Sequence, residues 1–361
     1  MNILIISPIF SPTSGGASIY YMELVKNISE YKEVKRIFVI TEKINKKENY
    51  SNYKKLSVIN LFPFRSGKFT YKYMQFFLYG LQNLQYLLFP IIFKKLKPDV
   101  TLLHSSFLNY PNLLYLIIKF FLKKYKIILD VRDCLLPKKK FYQINLFRII
   151  ITCSETVNNY LPNYEGKRFI PIFFNTTFIN DKTVINKYRL GNEKYFLYCG
   201  LIKKSKNIEF LYKVFKTYQI KYDPSVKLVL VGINKDNSIL HHLLKDKNIL
   251  YFNQMPYKDI LSLIFNSYLP INLSLSEGLS RFSLESLFLK KITILPRNII
   301  EFNNQCSSYV AVSYVNADLV ADQIFFLKNN NIIEHYNFSC HDPKNIRKKY
   351  FKLFMDVIHE S

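Results

Sequence analysis

The feature that most constrains the fold is a succession of strand, turn and helix in the C-terminal half of the chain. Residues 271–275 have apolar side chains at 271, 273 and 275 and predict a short strand, residues 276–278 form a polar turn, and a helix follows. The apolar side of that helix is formed by Leu284, Leu287 and Phe288. Two carboxylates, Glu277 and Glu285, flank the turn and the start of the helix. Because α/β sheets bind ligands beyond the carboxyl ends of their strands, Glu277 stands where a ligand would be held.

Units of the same kind recur along the chain. Apolar segments bounded by polar residues predict strands at 2–6, 36–41, 58–61, 99–103, 127–130, 150–154, 169–174, 195–199, 226–231, 249–252 and 292–295. Apolar residues at helical spacing predict helices between the strands, and two more at 315–328 and 344–358. A chain of 361 residues built in this way predicts two α/β domains, each able to bury its own core.

Composition narrows the class of protein. The chain is 49% hydrophobic and 21% charged, which is typical of a globular protein and not of a disordered one. No apolar run reaches the roughly 18–20 residues of a membrane span. The chain begins on an apolar strand without a basic leader, which argues against secretion. Its five cysteines are scattered without a Cys-x-x-Cys pair, which favours reduced thiols in the cytoplasm and argues against zinc.

The formal net charge of +25 calls for an anionic partner or a compositional explanation. Nucleic acid, an anionic membrane face and a phosphorylated substrate are the candidates. Nucleic acid is disfavoured because the chain has no recognition helix and no zinc-finger spacing. A genome-wide bias towards Lys, Asn, Ile, Tyr and Phe is an alternative source of the charge.

A basic and aromatic segment at 62–97 is the candidate for membrane contact. Its apolar residues at helical spacing are Phe69, Tyr73, Phe76, Phe77, Leu81, Leu84, Leu88 and Ile92. The basic residues around them are Arg65, Lys68, Lys72, Lys94, Lys95 and Lys97. This composition is typical of a helix lying in a membrane interface. A buried core helix explains the aromatic residues equally well, because lysines extend to water from any helix edge.

Polar residues follow three strands of the N-terminal half. Gly15 and Gly16 lie between the first strand and its helix, His104 ends the fourth strand, and Arg132 and Asp133 follow the fifth. All five positions are at the ligand-binding edge of the predicted sheet, and a glycine pair lets a phosphate or a sugar approach the backbone. An ordinary strand–helix turn and a structural histidine are the alternatives.

A lysine cluster precedes a predicted helix in the C-terminal half. Gly200 ends a strand, Lys203, Lys204 and Lys206 follow it, and Asn207 is a natural N-cap for the helix. Helix amides attract an anion and ammonium groups neutralise it, so this segment predicts a phosphate site. A solvated lysine run beside a capped helix is the alternative.

The segment from Glu277 to Glu285 resembles the Glu-x7-Glu motif of retaining GT-B glycosyltransferases of family 4, also called group 1. The lysine segment resembles the family's Gly-Arg-Leu-x3-Lys segment, and the resemblance covers nearly the whole chain in order. Two departures stand out: residues 279–282 are Leu-Ser-Arg-Phe where the family usually has Phe-Gly-Leu-Pro, and Leu201 occupies the position of the family's arginine.

The resemblance implies a role for each candidate residue. Glu277 would contact donor-sugar hydroxyls, Glu285 the ribose, and Lys206 the diphosphate, while His104 would orient the sugar. The remaining donor-side contacts would come from Gly278, Leu279, Ser280, Arg281, Gly200, Lys203, Lys204, Gly15 and Gly16. Arg132 and Asp133 would lie on the acceptor side. We expect replacement of Glu285 or Lys206 to abolish transfer without disturbing the fold.

The resemblance also implies an architecture and an activity. A Rossmann-like acceptor domain would span 1–180 and a donor domain 190–344, facing each other across a cleft, with the last helix, 345–361, packing back on the first domain. The activity would be retaining, hexosyltransferase-type transfer from a nucleotide-diphospho-sugar to a lipid-linked, lipopolysaccharide or capsule glycan. No metal or cofactor is required, and the place of action would be the cytoplasm or the inner face of the plasma membrane.

Two other functions fit the same residues. A nucleotide-sugar epimerase shares the architecture but needs acid and base groups across the cleft. A scaffold subunit without catalysis, in a complex that assembles envelope glycans, is favoured to some extent by the leucine at position 201.

Overall fold

The computed structural model describes residues 1–7, 10, 16–42, 50, 53–61, 85–109, 113–134, 138–174, 181, 183–295, 298–306, 316–332 and 335–360. The chain divides into two compact units. The first comprises Met1–Phe174 together with Cys340–Ser361, and the second comprises Asn175–Ser339. Gly15 and residues 62–84 of the predicted basic helix lie outside the described residues.

The first unit is built on a seven-stranded parallel sheet. The strands are β1 (Asn2–Ile6), β2 (Arg36–Glu42), β3 (Leu56–Leu61), β4 (Val100–His104), β5 (Ile127–Val131), β6 (Ile149–Thr152) and β7 (Lys167–Phe169). They are arranged in the order β3-β2-β1-β4-β5-β6-β7. Residues 3–6 of β1 are buried throughout, as expected for a parallel strand covered on both faces. The strand predicted at 169–174 is wrong: the ladder pairs β7 instead, and residues 170–174 are buried outside it.

Helices alternate with these strands. They are α1 (Gly16–Ile28), α2 (Phe89–Leu96), α3 (Leu113–Phe120) and α4 (Glu155–Tyr160). α1 buries Val25 and Ile28 against the unit, as its spacing predicts. Ser154 caps α4 by accepting a hydrogen bond from the backbone amide of Val157 at 3.0 Å.

The last helix of the chain belongs to the first unit. It runs from Pro343 to His359 and is capped by Asp342, whose side chain accepts a hydrogen bond from the amide of Asn345. Its Tyr350 is fully buried and its hydroxyl is hydrogen-bonded to that of Tyr20 on α1. These contacts tie the C-terminus of the chain to its first helix.

The second unit contains a four-stranded parallel sheet. Its strands are β8 (Tyr195–Cys199), β9 (Lys227–Val231), β10 (Ile249–Phe252) and β11 (Leu269–Pro270), in the order β10-β9-β8-β11. The predicted strands at 271–275 and 292–295 are reduced to one bridge between Ile271 and Ile294. The reason is local, because the Asn272 side chain accepts the backbone amide of Ser274 at 3.1 Å and turns the chain out of the ladder.

Helices flank this sheet on both faces. They are α5 (Thr183–Lys187), α6 (Ile208–Lys221), α7 (Asn237–Leu243), α8 (Tyr257–Asn266), α9 (Arg281–Phe288), α10 (Ile300–Gln305) and α11 (Ala317–Asn329). The final helix, Pro343–His359, is α12. Two apolar clusters result, one in which α6 and α11 cover the sheet and one that includes residues of α8 and α9. None of the described helices is long and apolar enough to cross a membrane.

Candidate functional site

The centre of the candidate site is an ion pair between Lys206 and Glu277. The Lys206 Nζ lies 2.5 Å from Glu277 Oε1, and the two side chains are 13% and 18% exposed. The Ser274 hydroxyl donates to the same carboxylate oxygen at 2.9 Å. The lysine segment and the acidic turn, both assigned to the donor side by the resemblance, therefore meet in the second unit.

Backbone contacts hold these two segments together. The amide of Leu275 donates to the carbonyl of Ser205 at 3.0 Å, which places the turn before Glu277 against the residue that precedes Lys206. Lys206 ends a short 3₁₀ turn, Lys204–Lys206, and its amide donates to the carbonyl of Lys203 at 2.9 Å. The ion pair is thus fixed by main chain on both sides and does not depend on side-chain contact alone.

A buried polar network joins the Glu277 turn to α9. Asn272, which is 2% exposed, donates through Nδ2 to the hydroxyls of Ser280 at 2.8 Å and Ser283 at 3.2 Å. Its Oδ1 accepts from the backbone amide of Ser274, the residue whose hydroxyl donates to Glu277. Ser280 is the N-cap of α9, and its hydroxyl accepts from the amide of Ser283. Since each member is buried and hydrogen-bonded, the network fixes the turn relative to the helix.

Glu285 is held inside the unit by two partners. Its Oε1 accepts from Arg281 Nε at 2.9 Å and from the Tyr257 hydroxyl at 2.7 Å, and the side chains of the Arg281–Glu285 pair are 8% and 5% exposed. Burial and then the Glu285 charge raise the pKa of Tyr257, so its hydroxyl stays protonated as a donor. The Arg281 guanidinium lies 5.4 Å from the Tyr257 ring centroid. Arg281, which the resemblance assigns to the donor side, also neutralises the Glu285 carboxylate.

Two expectations for Glu285 need correction. It is the fifth residue of α9 and lies in the middle of the helix, not at its start. Removing its charge would break the buried pair in which Arg281 Nε lies 2.9 Å from Glu285 Oε1, and breaking such a pair costs about 3–5 kcal/mol. The fold therefore depends on Glu285, and its replacement cannot be expected to leave the fold intact.

The Glu277 and Glu285 charges contribute to raised pKa values of two side chains on β8. Burial, followed by the charge of Glu277 and by Cys199, raises the pKa of the Tyr198 hydroxyl. Burial and the charge of Glu285 raise the pKa of the Cys199 thiol. Both groups are therefore neutral near pH 7, and the carboxyl end of β8 faces both glutamates of the motif.

Glycines allow two strand ends to approach closely. Gly232 follows β9 with φ of 144°, and a Cβ built there would lie 1.9 Å from the carbonyl oxygen of Gly200. A Cβ on Gly200 would meet the Tyr198 hydroxyl at 2.6 Å. The main-chain contact therefore requires glycine at 232, whereas a side chain at Gly200 would have to displace the Tyr198 hydroxyl.

Asn207 does not cap α6 as predicted. It adopts the left-handed conformation with φ of 56°, and its side chain makes no hydrogen bond to the first amides of the helix. Asparagine tolerates this conformation better than most residues, which explains its presence at the junction between the 3₁₀ turn and α6. Lys203 is half-exposed and Lys204 exposed beside it.

His104 ends β4 in the first unit and is 5% exposed. Its Nδ1 accepts the amide of Ser106 at 3.1 Å and lies 2.8 Å from the Ser106 hydroxyl. An accepting Nδ1 assigns the proton of the neutral ring to Nε2. The ring packs edge-on against Tyr21 at 5.9 Å. Gly16 is the first residue of α1 in the same unit.

Arg132 is engaged in a buried cluster. Its side chain is 7% exposed, its Nε lies 2.6 Å from Asp130 Oδ1, and its Nη2 donates to the hydroxyls of Tyr20 and Tyr350. Burial alone would lower the pKa of Arg132, but the charge of Asp130 and then the two tyrosines outweigh it and raise that pKa. These contacts join β5, α1 and α12, and they favour a structural role over the predicted acceptor contact. Asp133, the next residue, is half-exposed.

Three residues of the site, Tyr257, Asn272 and Ser274, were not predicted from the sequence. Asn272 and Ser274 fall in the predicted strand at 271–275, where a polar side chain among apolar ones is itself a signal of a buried hydrogen-bond network. Among the described residues, no group of three or more His, Cys, Asp or Glu side chains is placed to hold a metal ion.

Comparison with known proteins gives the class. Residues 180–337 match the family model of the glycosyl transferases group 1. The whole chain is similar to sucrose-phosphate synthase from Thermosynechococcus elongatus, with a TM-score of 0.74, 14% sequence identity and 100% of both chains covered. It is also similar to the E. coli trehalose-6-phosphate structure bound with UDP-2-fluoro glucose, with a TM-score of 0.66, 12% identity and 100% of both chains covered.

A third likeness is to an alpha,alpha-trehalose-phosphate synthase (UDP-forming) from Burkholderia xenovorans. Its TM-score is 0.65 at 10% identity, with 98% of this chain and 100% of that chain covered. At such identities the likeness to solved structures shows the fold, and that fold is GT-B. The match to the group 1 glycosyltransferases covers residues 180–337, which lie within the second unit. The predicted fold and enzyme class are thus confirmed, whereas family 4 stays a prediction.

Proposed function

We propose that this chain transfers a hexosyl group from a nucleotide-diphospho-sugar to a glycan of the cell envelope, with retention of anomeric configuration. The acceptor classes are a lipid-linked oligosaccharide, lipopolysaccharide or capsule. The observation that carries the proposal is the meeting of Lys206 and Glu277 at 2.5 Å in the group 1 domain. It supports a site with a cation for the leaving diphosphate directly beside a carboxylate for sugar hydroxyls.

In this proposal the side chains of the second unit hold the donor. Lys206 would pair with the diphosphate and stabilise the charge that develops when the glycosidic bond breaks, which is often the largest electrostatic contribution to catalysis. Lys203 and Lys204 lie beside it and would add to the positive field. Glu277 would accept hydrogen bonds from the sugar, and Glu285, oriented by Arg281 and Tyr257, would accept them from the ribose.

A nucleotide-diphospho-sugar is supported as donor by the fold relatives. The E. coli structure holds UDP-2-fluoro glucose, and the Burkholderia xenovorans synthase is UDP-forming. His104, with its proton assigned to Nε2, would serve as a hydrogen-bond donor to the sugar and not as a base. No step of the proposed sugar transfer uses a metal ion.

The experiment is a transfer assay with a panel of nucleotide-sugars carrying a labelled sugar, with and without envelope glycan acceptors. We expect acceptor-dependent release of the nucleoside diphosphate and an anomeric configuration in the product equal to that of the donor. Conversion of the nucleotide-sugar without any acceptor would instead identify an epimerase. A chain that binds no nucleoside diphosphate in calorimetry would contradict the enzyme proposal and favour a scaffold.

A further inference from the structure

The first unit exposes large apolar side chains on two helical segments. The residues are Leu87, Leu88, Ile91, Leu116, Phe120 and Phe121, which we call the exposed apolar surface. Phe120 is 67% exposed, Ile91 64% and Phe121 62%. Scattered exposed apolar residues are ordinary, but a concentration on neighbouring segments indicates a contact surface.

The opposite faces of these segments are buried, so the exposure is not a sign of loose helices. On α2, Phe89 and Phe93 are fully buried, and on α3 Leu114 and Ile117 are 1% and 2% exposed. The two segments adjoin, because the Phe93 ring packs edge-on against Tyr125, shortly after α3, at 4.8 Å. Each helix therefore has one face in the core and a second apolar face in water.

Lysines border the exposed apolar surface. Lys94 and Lys95 lie in the last turn of α2, Lys119 lies in α3, and Lys123 and Lys124 follow it, all of them exposed. Among the described residues none of these five forms an ion pair, and the Lys119 Nζ lies 5.5 Å from the Phe120 ring centroid. The sequence from 85 to 126 contains seven lysines and one acidic residue, Asp99, whose carboxylate accepts the amide of Asn2. The border is thus uniformly positive.

We propose that the exposed apolar surface docks the first unit on an anionic lipid bilayer. Apolar side chains would enter the interface between headgroups and acyl chains while the surrounding lysines contact anionic headgroups. The charge favours a membrane over a second copy of the chain, because two copies meeting here would bring two sets of lysines together. A lipid partner also fits the proposed function, because envelope acceptors are built at membranes. The biological role of the docking surface rests on that function.

The experiment is flotation of the full chain with vesicles of phosphatidylcholine, alone or mixed with phosphatidylglycerol. We expect binding only to the mixed vesicles, and loss of that binding when salt is raised from about 0.1 to about 1 M. The variant Lys119→Glu/Lys123→Glu should bind at least about 25-fold more weakly, at about fivefold per lysine removed from the surface. Phe120→Ser/Phe121→Ser should lose about tenfold or more.

Matched controls come from the second unit. Lys245→Glu/Lys247→Glu makes the same charge change at exposed lysines, and Phe326→Ser replaces a phenylalanine that is 59% exposed on α11. Both controls should bind the vesicles like the unmodified chain. Equal binding by all variants, or no binding to anionic vesicles, would overturn the proposal. So would a dimer that the Phe120→Ser/Phe121→Ser variant converts to a monomer without any change in vesicle binding.

The outcome is separable from that of the proposed function. Flotation needs no donor and no acceptor, and nucleoside diphosphate binding by the second unit can be measured on the same variants. Vesicle binding without nucleotide binding would support the docking surface and reject the transferase site. Nucleotide binding without vesicle binding would do the reverse.

Discussion

The replacement Glu277→Gln separates two roles of the ion pair at the candidate site. In the structure Glu277 competes with any bound phosphate for Lys206, because its Oε1 already lies 2.5 Å from the Nζ. Glutamine keeps the size of the side chain and a partner for the Ser274 hydroxyl, but it removes the competing charge. We therefore expect Glu277→Gln to bind a free nucleoside diphosphate more tightly than the unmodified chain, and to lose sugar transfer.

The magnitude follows from the distances. A phosphate oxygen that contacts Lys206 would lie about 5 Å from the Glu277 carboxylate, where two unit charges repel by about 1 kcal/mol in water and about 3 kcal/mol at an effective dielectric constant of 20. Since both side chains are mostly buried, removal of this repulsion should improve affinity by at least about fivefold. Lys206→Met should weaken binding about ten- to a hundredfold, because charged hydrogen bonds contribute about 1.5–3 kcal/mol.

The assay is isothermal titration calorimetry with UDP, GDP and ADP, on the unmodified chain and on both variants. A control pair exists in the same unit: Lys216 and Asp246 lie 2.9 Å apart with 32% and 12% exposure. The variant Asp246→Asn should leave nucleotide affinity unchanged. If Glu277→Gln weakens nucleotide binding as much as Lys206→Met does, the ion pair holds the site open instead of competing for it, and the reasoning is refuted.

Three further predictions test the structure of the second unit. Gly232→Ala should lower the free energy of unfolding, measured by chemical denaturation, by about 3–5 kcal/mol because its Cβ would clash with the Gly200 carbonyl. Gly191→Ala, with φ of 52° and open space around it, should lower it by only about 1 kcal/mol, and equal losses would contradict the packing argument. Tyr257→Phe should lower the free energy of unfolding by about 1–3 kcal/mol because it removes one donor to Glu285. Glu285→Gln should lower it more because it removes the charge that pairs with Arg281, and the reverse order would show that Arg281 is solvated. Burial, with Lys291 and Lys194 nearby, lowers the pKa of Lys328 from 10.5 to about 8, so the unfolded chain binds more protons than the folded chain between these pH values. The free energy of unfolding, measured relative to Lys328→Met, should therefore rise by about 1–2 kcal/mol from pH 8 to 10.5. A difference that does not change with pH would place Lys328 in water.

Strands were predictable where burial and ladder pairing coincide. β1, β4, β8 and β9 are mostly apolar and pair along their lengths, so the apolar pattern alone located them. At 271–275 apolar residues alternate with Asn272 and Ser274 and the segment is mostly buried, but the Asn272 side chain bends the backbone out of the ladder. An apolar pattern reports burial, and it does not report which backbone groups pair.

The candidate site was predictable only in its outline. The motif located Glu277 and Lys206, yet their contact joins positions 71 residues apart and depends on the fold. Tyr257 could not be assigned because its contact with Glu285 crosses between two helices. For Arg132 a signal was present: Asp130 stands two residues earlier on the same face of the strand, where a buried pair is the natural outcome.

The sharpest test of the donor site is a crystal structure with a nucleoside diphosphate bound. We expect a phosphate oxygen within hydrogen-bond distance of Lys206 Nζ, a longer separation between Lys206 and Glu277, and the ribose hydroxyls at Glu285. A diphosphate bound elsewhere, with the Lys206–Glu277 pair still at 2.5 Å, would contradict this expectation.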